Sequence, residues 1–263
     1  MKSKLVFLLG VLLILAAAMM SCGKKQEISE APSSTTSQVA KPVDASTAGS
    51  ITGTVQLEGK PPRMKVINMA AEPKCAQEHS SPPTTQDVLV GANGTLQNVV
   101  VYLQGDFSHY KFDEPQAPAI IDQEGCMYSP HVLVLRTGQP LQVINSDPVT
   151  HNIHPVPKDN REWNQSQPPG AAPIVQNFAR EEVAIPVKCN VHPWMKAYIA
   201  VLNNPYFQVT GKDRSFDLKN VPPGTYKLIA WHEFYGTKEK SVTIGPKESK
   251  AIRFTFDATS PIS

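Results

Sequence analysis

Apolar and polar side chains alternate along much of this chain with the two-residue period of β-strands. Ile51, Val55 and Leu57 are interleaved with Thr52, Thr54 and Gln56, and the segment runs into a Glu58-Gly59 turn. Residues 99–103 are instead continuously apolar, the pattern of a strand buried on both faces. Further strands are predicted at residues 132–135, 141–144, 183–187, 197–202, 226–231 and 252–256. Turn signals separate them: Asn93-Gly94, Thr137-Gly138, Asp147-Pro148, Asn203-Asn204-Pro205, Pro222-Pro223-Gly224 and Gly245-Pro246. No stretch sustains a helical period, and 24 prolines argue against long helices. Many short strands with regular turn punctuation predict an all-β fold of one or two antiparallel sandwiches. One polar, proline-rich stretch, residues 155–176 with Trp163, breaks the rhythm and reads as a long functional or disordered loop.

The amino-terminal pattern is different. Lys2 and Lys4 precede an unbroken apolar run over residues 5–18, too short to span a bilayer comfortably but fitting an export signal. The run ends at Met19-Met20-Ser21-Cys22, which looks like a lipobox, so residues 1–21 are expected to be a signal peptide and Cys22 the lipidated residue. Cleavage after the Ala16-Ala17-Ala18 cluster and an uncleaved anchor are the alternatives. Residues 22–48 carry almost no large apolar side chains and read as a flexible tether. With Lys24 and no Asp beside Cys22, the expected location is the periplasm or cell envelope, at the outer membrane. The formal charge of +2 includes Lys2 and Lys4, so the mature chain is near neutral. With no basic stripe, a nucleic-acid partner is excluded.

Cysteines and histidines carry the chemistry. Cys189-Asn190-Val191-His192-Pro193-Trp194-Met195 places a thiol, an imidazole and a thioether on one tight loop between two predicted strands. A thiolate, two imidazoles and a weak thioether are the donors of a blue-copper site. The second imidazole is expected upstream, where the strand ending Asn145-Ser146-Asp147 leads to His151-Asn152-Ile153-His154. Of the four cysteines, Cys22 and Cys189 are thereby assigned. Cys75 and Cys126 are expected to form a disulfide in an oxidising compartment, two buried free thiols being the alternative. His131, His154 and His232 are read as packing or hydrogen-bonding locally, with a second metal site among them left open.

From Tyr128-Ser129-Pro130 through Gln142-Val143-Ile144-Asn145 and His151-Asn152 to the Cys-x2-His-x2-Met loop, the chain resembles the cupredoxins. It is most similar to amicyanin and its plastocyanin and pseudoazurin relatives, over about residues 126–202. The resemblance implies a cupredoxin-like Greek-key sandwich holding one mononuclear type 1 copper through His151, Cys189, His192 and axial Met195. It also implies that Asn152 ties the two ligand loops together. The surroundings of His192, Pro193 and Trp194 would form an apolar patch for a redox partner, a c-type cytochrome or a dehydrogenase. Cys189 lies between Lys188 and Asn190, so the His-Cys-His relay of multicopper oxidases is missing, and no enzymatic role is expected.

Two further segments resemble a carboxypeptidase regulatory-like, transthyretin-like sandwich: residues 49–62, with Ile51-Thr52-Gly53-Thr54-Val55, and residues 203–226, with Pro222-Pro223-Gly224-Thr225-Tyr226. The expected organisation assigns residues 49–110 and 203–257 to this module, 111–202 to the cupredoxin packed with it or inserted into it, and 258–263 to a tail. The function expected on these grounds is one-electron transfer. Copper storage or delivery, and a metal-free cell-envelope module, are the alternatives.

Overall fold

The structure is a computed structural model that describes residues 40–212 and 215–262. The apolar leader and Cys22 lie outside the described residues. The described chain opens with β1 (Gly49–Glu58), the five-residue helix α1 (Pro73–Gln77) and β2 (Val100–Gln104). It continues with β3 (Ala119–Glu124), β4 (Met127–Ser129), β5 (Val132–Arg136), β6 (Leu141–Asn145) and β7 (His151–Pro155). Next come β8 (Gln165–Gln167), β9 (Ile174–Gln176), β10 (Glu182–Lys188) and β11 (Lys196–Leu202). β12 (Phe207–Val209), β13 (Phe216–Val221), β14 (Gly224–His232), β15 (Gly236–Ile244) and β16 (Ser249–Asp257) close it.

These strands form four sheets, in the orders β13-β1-β16, β12-β2-β14-β15, β5-β11-β10-β7-β8 and β4-β3-β6-β9. The first two face each other over a core that includes Ile51, Val55, Val101, Leu103, Phe216, Leu228, Phe254 and Phe256. The last two enclose another, with Ile121, Leu135, Leu141, Val143, Ile153, Ile185, Val187 and Ile199. A third apolar layer joins the sandwiches back to back: Val100 and Tyr102 of β2 and Ile229 and Trp231 of β14 meet Val132, Ala200 and Leu202. β2 therefore buries both faces, Val101 and Leu103 one way and Val100 and Tyr102 the other. This is why its sequence is continuously apolar. All strands of the second sandwich fall between β2 and β12 of the first.

The all-β expectation agrees with the structure. Not every pairing is antiparallel. β1 runs parallel to β16, β5 to β11 and β3 to β6, because crossovers between facing sheets return each strand in its partner's direction. Residues 155–176 are not one loop: β8 pairs with β7, and β9 with β6. The end of the stretch read as a tether is also held. The Lys41 amide bonds the His109 carbonyl at 3.1 Å, the Lys111 amide bonds the Lys41 carbonyl at 2.9 Å, and the Lys247 amide bonds Thr47 at 2.9 Å. These are backbone bonds, which an apolar count does not register.

Polar groups are buried at the seam between the sandwiches. His131, just before β5, bonds Glu233, just after β14, and Lys196 of β11 pairs with both Glu233 (3.3 Å) and Asp87. On the opposite face of β14 from the seam, His232 is fully buried in the first sandwich, its Nδ1 accepting the Phe234 amide at 3.1 Å and its ring stacked on Tyr235. Burial, reinforced by the nearby His131, pushes the His232 pKa down to about 4. A histidine kept neutral in the fold binds its proton more readily once unfolded, so its contribution to stability is lost as pH falls from about 6.5 toward 4. At 1.36 kcal/mol per unit, the loss is about 3 kcal/mol. Urea unfolding of the metal-free protein across this range should show the decline, and His232→Gln should reduce its slope. An unchanged slope in the variant would contradict the assignment.

Candidate metal centre

The centre forms where two strands run side by side. β7 pairs antiparallel with β10, Pro155 opposite Val187 and His154 opposite Lys188, so His151 at the start of β7 lies near Cys189 just after β10. From Cys189 the chain makes one tight loop and returns as β11. The loop is braced internally: the Cys189 amide bonds the Met195 carbonyl (3.2 Å), the Met195 amide bonds the His192 carbonyl (2.9 Å), and the His192 amide points at Cys189 Sγ (3.4 Å). Asn152 bridges the two segments, its Oδ1 accepting the Asn190 amide at 2.7 Å and lying 3.5 Å from Cys189 Sγ. Tyr128 Oη donates to the Asn152 carbonyl at 2.6 Å and approaches that of Lys188 at 3.2 Å, tying β4 to both.

Three donor atoms converge in this pocket. His151 Nδ1 and His192 Nδ1 are 2.9 Å apart, Cys189 Sγ is 3.9 Å from His192 Nδ1, and all three side chains are buried. Two imidazole nitrogens facing each other this closely can aim their lone pairs at one common ion. A soft sulfur beside them suits a thiophilic transition metal and disfavours magnesium or calcium. Met195, fully buried on the same loop, completes the set of residues expected from the sequence. The donor chemistry thus fits copper, with two nitrogens and a thiolate on hand.

The electrostatics favour a thiolate. Burial raises the Cys189 pKa, but the neighbouring His151 and the surrounding backbone amides outweigh it, and the net shift is downward. Burial and the neighbouring His151 push His192 down, which keeps it a neutral, donating imidazole. For His151 the burial effect is overcome by Asp147 and Cys189, and its pKa rises.

The three other histidines singled out in the sequence stand apart. His154 bonds Asn190 Oδ1 (3.2 Å) and Glu162 (2.6 Å), His131 is paired with Glu233, and His232 lies in the first sandwich. Among the described residues, none of them joins a cluster of three metal-binding side chains.

The structure adds features that the motifs did not reveal. Cys75 and Cys126 are joined in a disulfide, as expected, and the bridge lies against the site: Cys75 Sγ is 3.9 Å from His192 Nε2. Ile67, Met69 and Cys75, which precede β2, pack into the core of the second sandwich. Cys75 and Glu72, whose Oε2 is 3.9 Å from His192 Nε2, form a cap over the imidazole. Trp194 seals another side, its ring tilted against His192 and its Nε1 donating to the Cys126 carbonyl at 3.0 Å. His192 is consequently only 3% exposed. The imidazole itself is thus covered, while Val191 and Pro193 beside it are exposed. Asp147 is the other unforeseen participant, accepting from His151 Nε2 at 2.8 Å. Its four-residue spacing ahead of His151 was the available signal, masked by the Asp147-Pro148 turn.

No protein-family model and no curated protein matches the chain. Among solved structures it is similar to a copper-containing nitrite reductase from Thermus scotoductus, at 20% identity and a TM-score of 0.32, over 36% of this chain and 24% of that one. It is similar to the purple cupredoxin from Nitrosopumilus maritimus at 24% identity and a TM-score of 0.28, over 32% and 98%. A methionine-to-alanine mutant of amicyanin in its Cu(I) form gives 20% identity and a TM-score of 0.28, over 32% and 81%. These likenesses reach about a third of the chain, which spans about a quarter of the reductase. The chemistry of the site follows from its own donors.

The disulfide closes a loop with a sequence separation of 51 and holds the cap in place. Replacing both Cys75 and Cys126 by Ala should lower stability by about 2–4 kcal/mol, read from denaturant midpoints. In the metal-free variant His192 should also become reactive toward diethyl pyrocarbonate, mapped by mass spectrometry. Protection of His192 equal to that in the parent would show that the cap does not depend on the bridge.

Proposed function

We propose that this chain is an exported type 1 copper protein acting as a one-electron carrier. The observation that carries the reading is the convergence of His151 Nδ1, His192 Nδ1 and Cys189 Sγ in one buried pocket. These three would hold the metal, with Met195 as a further, weak thioether donor. Copper supplies a site that cycles between two oxidation states one electron apart. The protein supplies rigidity: the internally bonded loop, the Asn152 bridge and the cap hold each donor where it stands, so little rearranges when an electron arrives or leaves. Burial keeps water out, and the lowered Cys189 pKa keeps the thiolate available.

Without a His-Cys-His sequence around Cys189 there is no through-bond route to a second copper cluster, which favours a carrier over an oxidase. The capped His192 disfavours copper delivery, since a metallochaperone needs an accessible ligand for handover. In this reading the chain is tethered through Cys22 to the cell envelope, at the outer membrane. It exchanges electrons with a protein partner such as a c-type cytochrome or a dehydrogenase.

Loading with Cu(II) should give a coloured protein whose intense visible absorption and paramagnetic resonance signal arise from the Cys189 thiolate. Cys189→Ser, checked for folding by circular dichroism, should lose the colour. A colourless copper-loaded parent protein would overturn the proposal. Rapid loss of copper to a chelator during redox cycling would favour delivery instead.

A further inference from the structure

We infer that Asp147 is a positioning residue that fixes the ligating nitrogen of His151 and biases the metal toward its more oxidised state. The inference rests on reading the cluster as a copper centre and adds a residue to it.

Asp147 is 4% exposed, and its two oxygens are fully engaged. Oδ1 accepts the Gly125 amide at 2.6 Å, while Oδ2 accepts the Cys126 amide at 2.7 Å and faces His151 Nε2 at 2.8 Å. The two amides come from the tip of the β3–β4 hairpin. There Gly125 and Cys126 both have positive φ, +62° and +53°, as a two-residue turn of the primed type requires. That conformation aims both turn amides the same way, into one carboxylate. The Asp147 amide in turn donates to Asn145 Oδ1 at 3.1 Å, and Asn145 Nδ2 holds the Val149 and Gln167 carbonyls. The carboxylate therefore has no rotational freedom, and its position relative to the His151 ring is set by the backbone.

Two consequences follow. A carboxylate only accepts hydrogen bonds, so Nε2 of His151 must carry the proton. Nδ1 is then left as the lone-pair nitrogen, on the side facing His192 and Cys189. Outer partners of this kind orient a metal-bound imidazole and raise its basicity. A fixed negative charge one ring away from the metal also stabilises the higher charge of Cu(II) over Cu(I). Buried in a medium that screens poorly, it does so far more than a surface carboxylate would. A residue that only braced the hairpin would do neither.

The first measurement needs no metal and no variant. Long-range proton–nitrogen correlation spectra of the metal-free protein, above the pH at which His151 is protonated, should show it with the proton on Nε2. The opposite tautomer would overturn the inference whether or not copper binds. The second compares the copper-loaded parent with Asp147→Asn, which keeps the size and removes the charge. The variant should remain coloured, with a reduction potential shifted upward by a tenfold or larger change in the Cu(I)/Cu(II) ratio, 59 mV or more for one electron. An unchanged potential in a folded, coloured variant would reduce Asp147 to a hairpin brace. Should Asp147→Asn fail to fold, the tautomer measurement still decides. A parent protein that binds no copper would sink the functional proposal while leaving that result standing.

Discussion

The pairing of β7 with β10 is the constraint on which the rest of the site depends. Lys188 stands opposite His154, so the ladder brings the beginning of one strand beside the end of the other. His151 and Cys189, 38 residues apart in sequence, become neighbours without any loop having to reach across the fold. β11 is the next strand in the same sheet, and the short return from β10 to β11 carries His192 and Met195 into the same pocket. A slip of one residue in the β7–β10 register would turn His151 to the opposite face. Ile153, buried in the core on one side of β7, and the Tyr128 bonds to both carbonyls work against such a slip.

Gathering two imidazoles, a thiol and a carboxylate in a buried pocket carries a desolvation cost, and the surroundings show how it is met. Asp147 accepts two amides and an imidazole nitrogen, Asn152 accepts an amide, and Cys189 Sγ receives the His192 amide. These groups have partners of complementary type, which is the condition for burying polar atoms without large loss of stability. The opposite pKa directions of His151 and His192 come from this asymmetry. One ring has a buried carboxylate 2.8 Å away, whereas the other has only Glu72, partly exposed and 3.9 Å away. Two residues of the same type are thereby placed in different electrostatic settings within a few ångströms of each other.

Much of this was legible in the sequence. The alternation at residues 51–57 and the continuous run at 99–103 match β1 and β2, and the second pattern reports burial on two faces. The Cys189–Met195 spacing announced its own chemistry because three donor types share seven residues. β15 was not legible: Thr237, Lys238, Glu239, Lys240 and Ser241 are all exposed, so a strand secured by its ladder to β14 leaves no apolar signature. The cap escaped for a related reason. It is short and polar, and a covalent bridge with a few buried side chains anchors it. Asp147 was hidden because an Asp-Pro pair is also a turn signal, and local pattern cannot separate a turn former from a partner held in space.

The position of the cap changes how the two sandwiches relate. The segment that covers His192 leaves the first sandwich after β1 and returns to it as β2, so the first sandwich supplies the second with the lid of its site. A second sandwich cut out at residues 119–202 would keep His151, Cys189, His192 and Met195 but lose Glu72 and Cys75. Cys126 would become a free thiol and the edge of His192 would face solvent. The apolar layer between β2, β14, β5 and β11 then has a second role besides burying area, because it fixes the frame from which the cap is suspended. Neither sandwich alone encloses the centre. The enclosure comes from the insertion, in which chain segments on both sides of β2 are brought against the same imidazole.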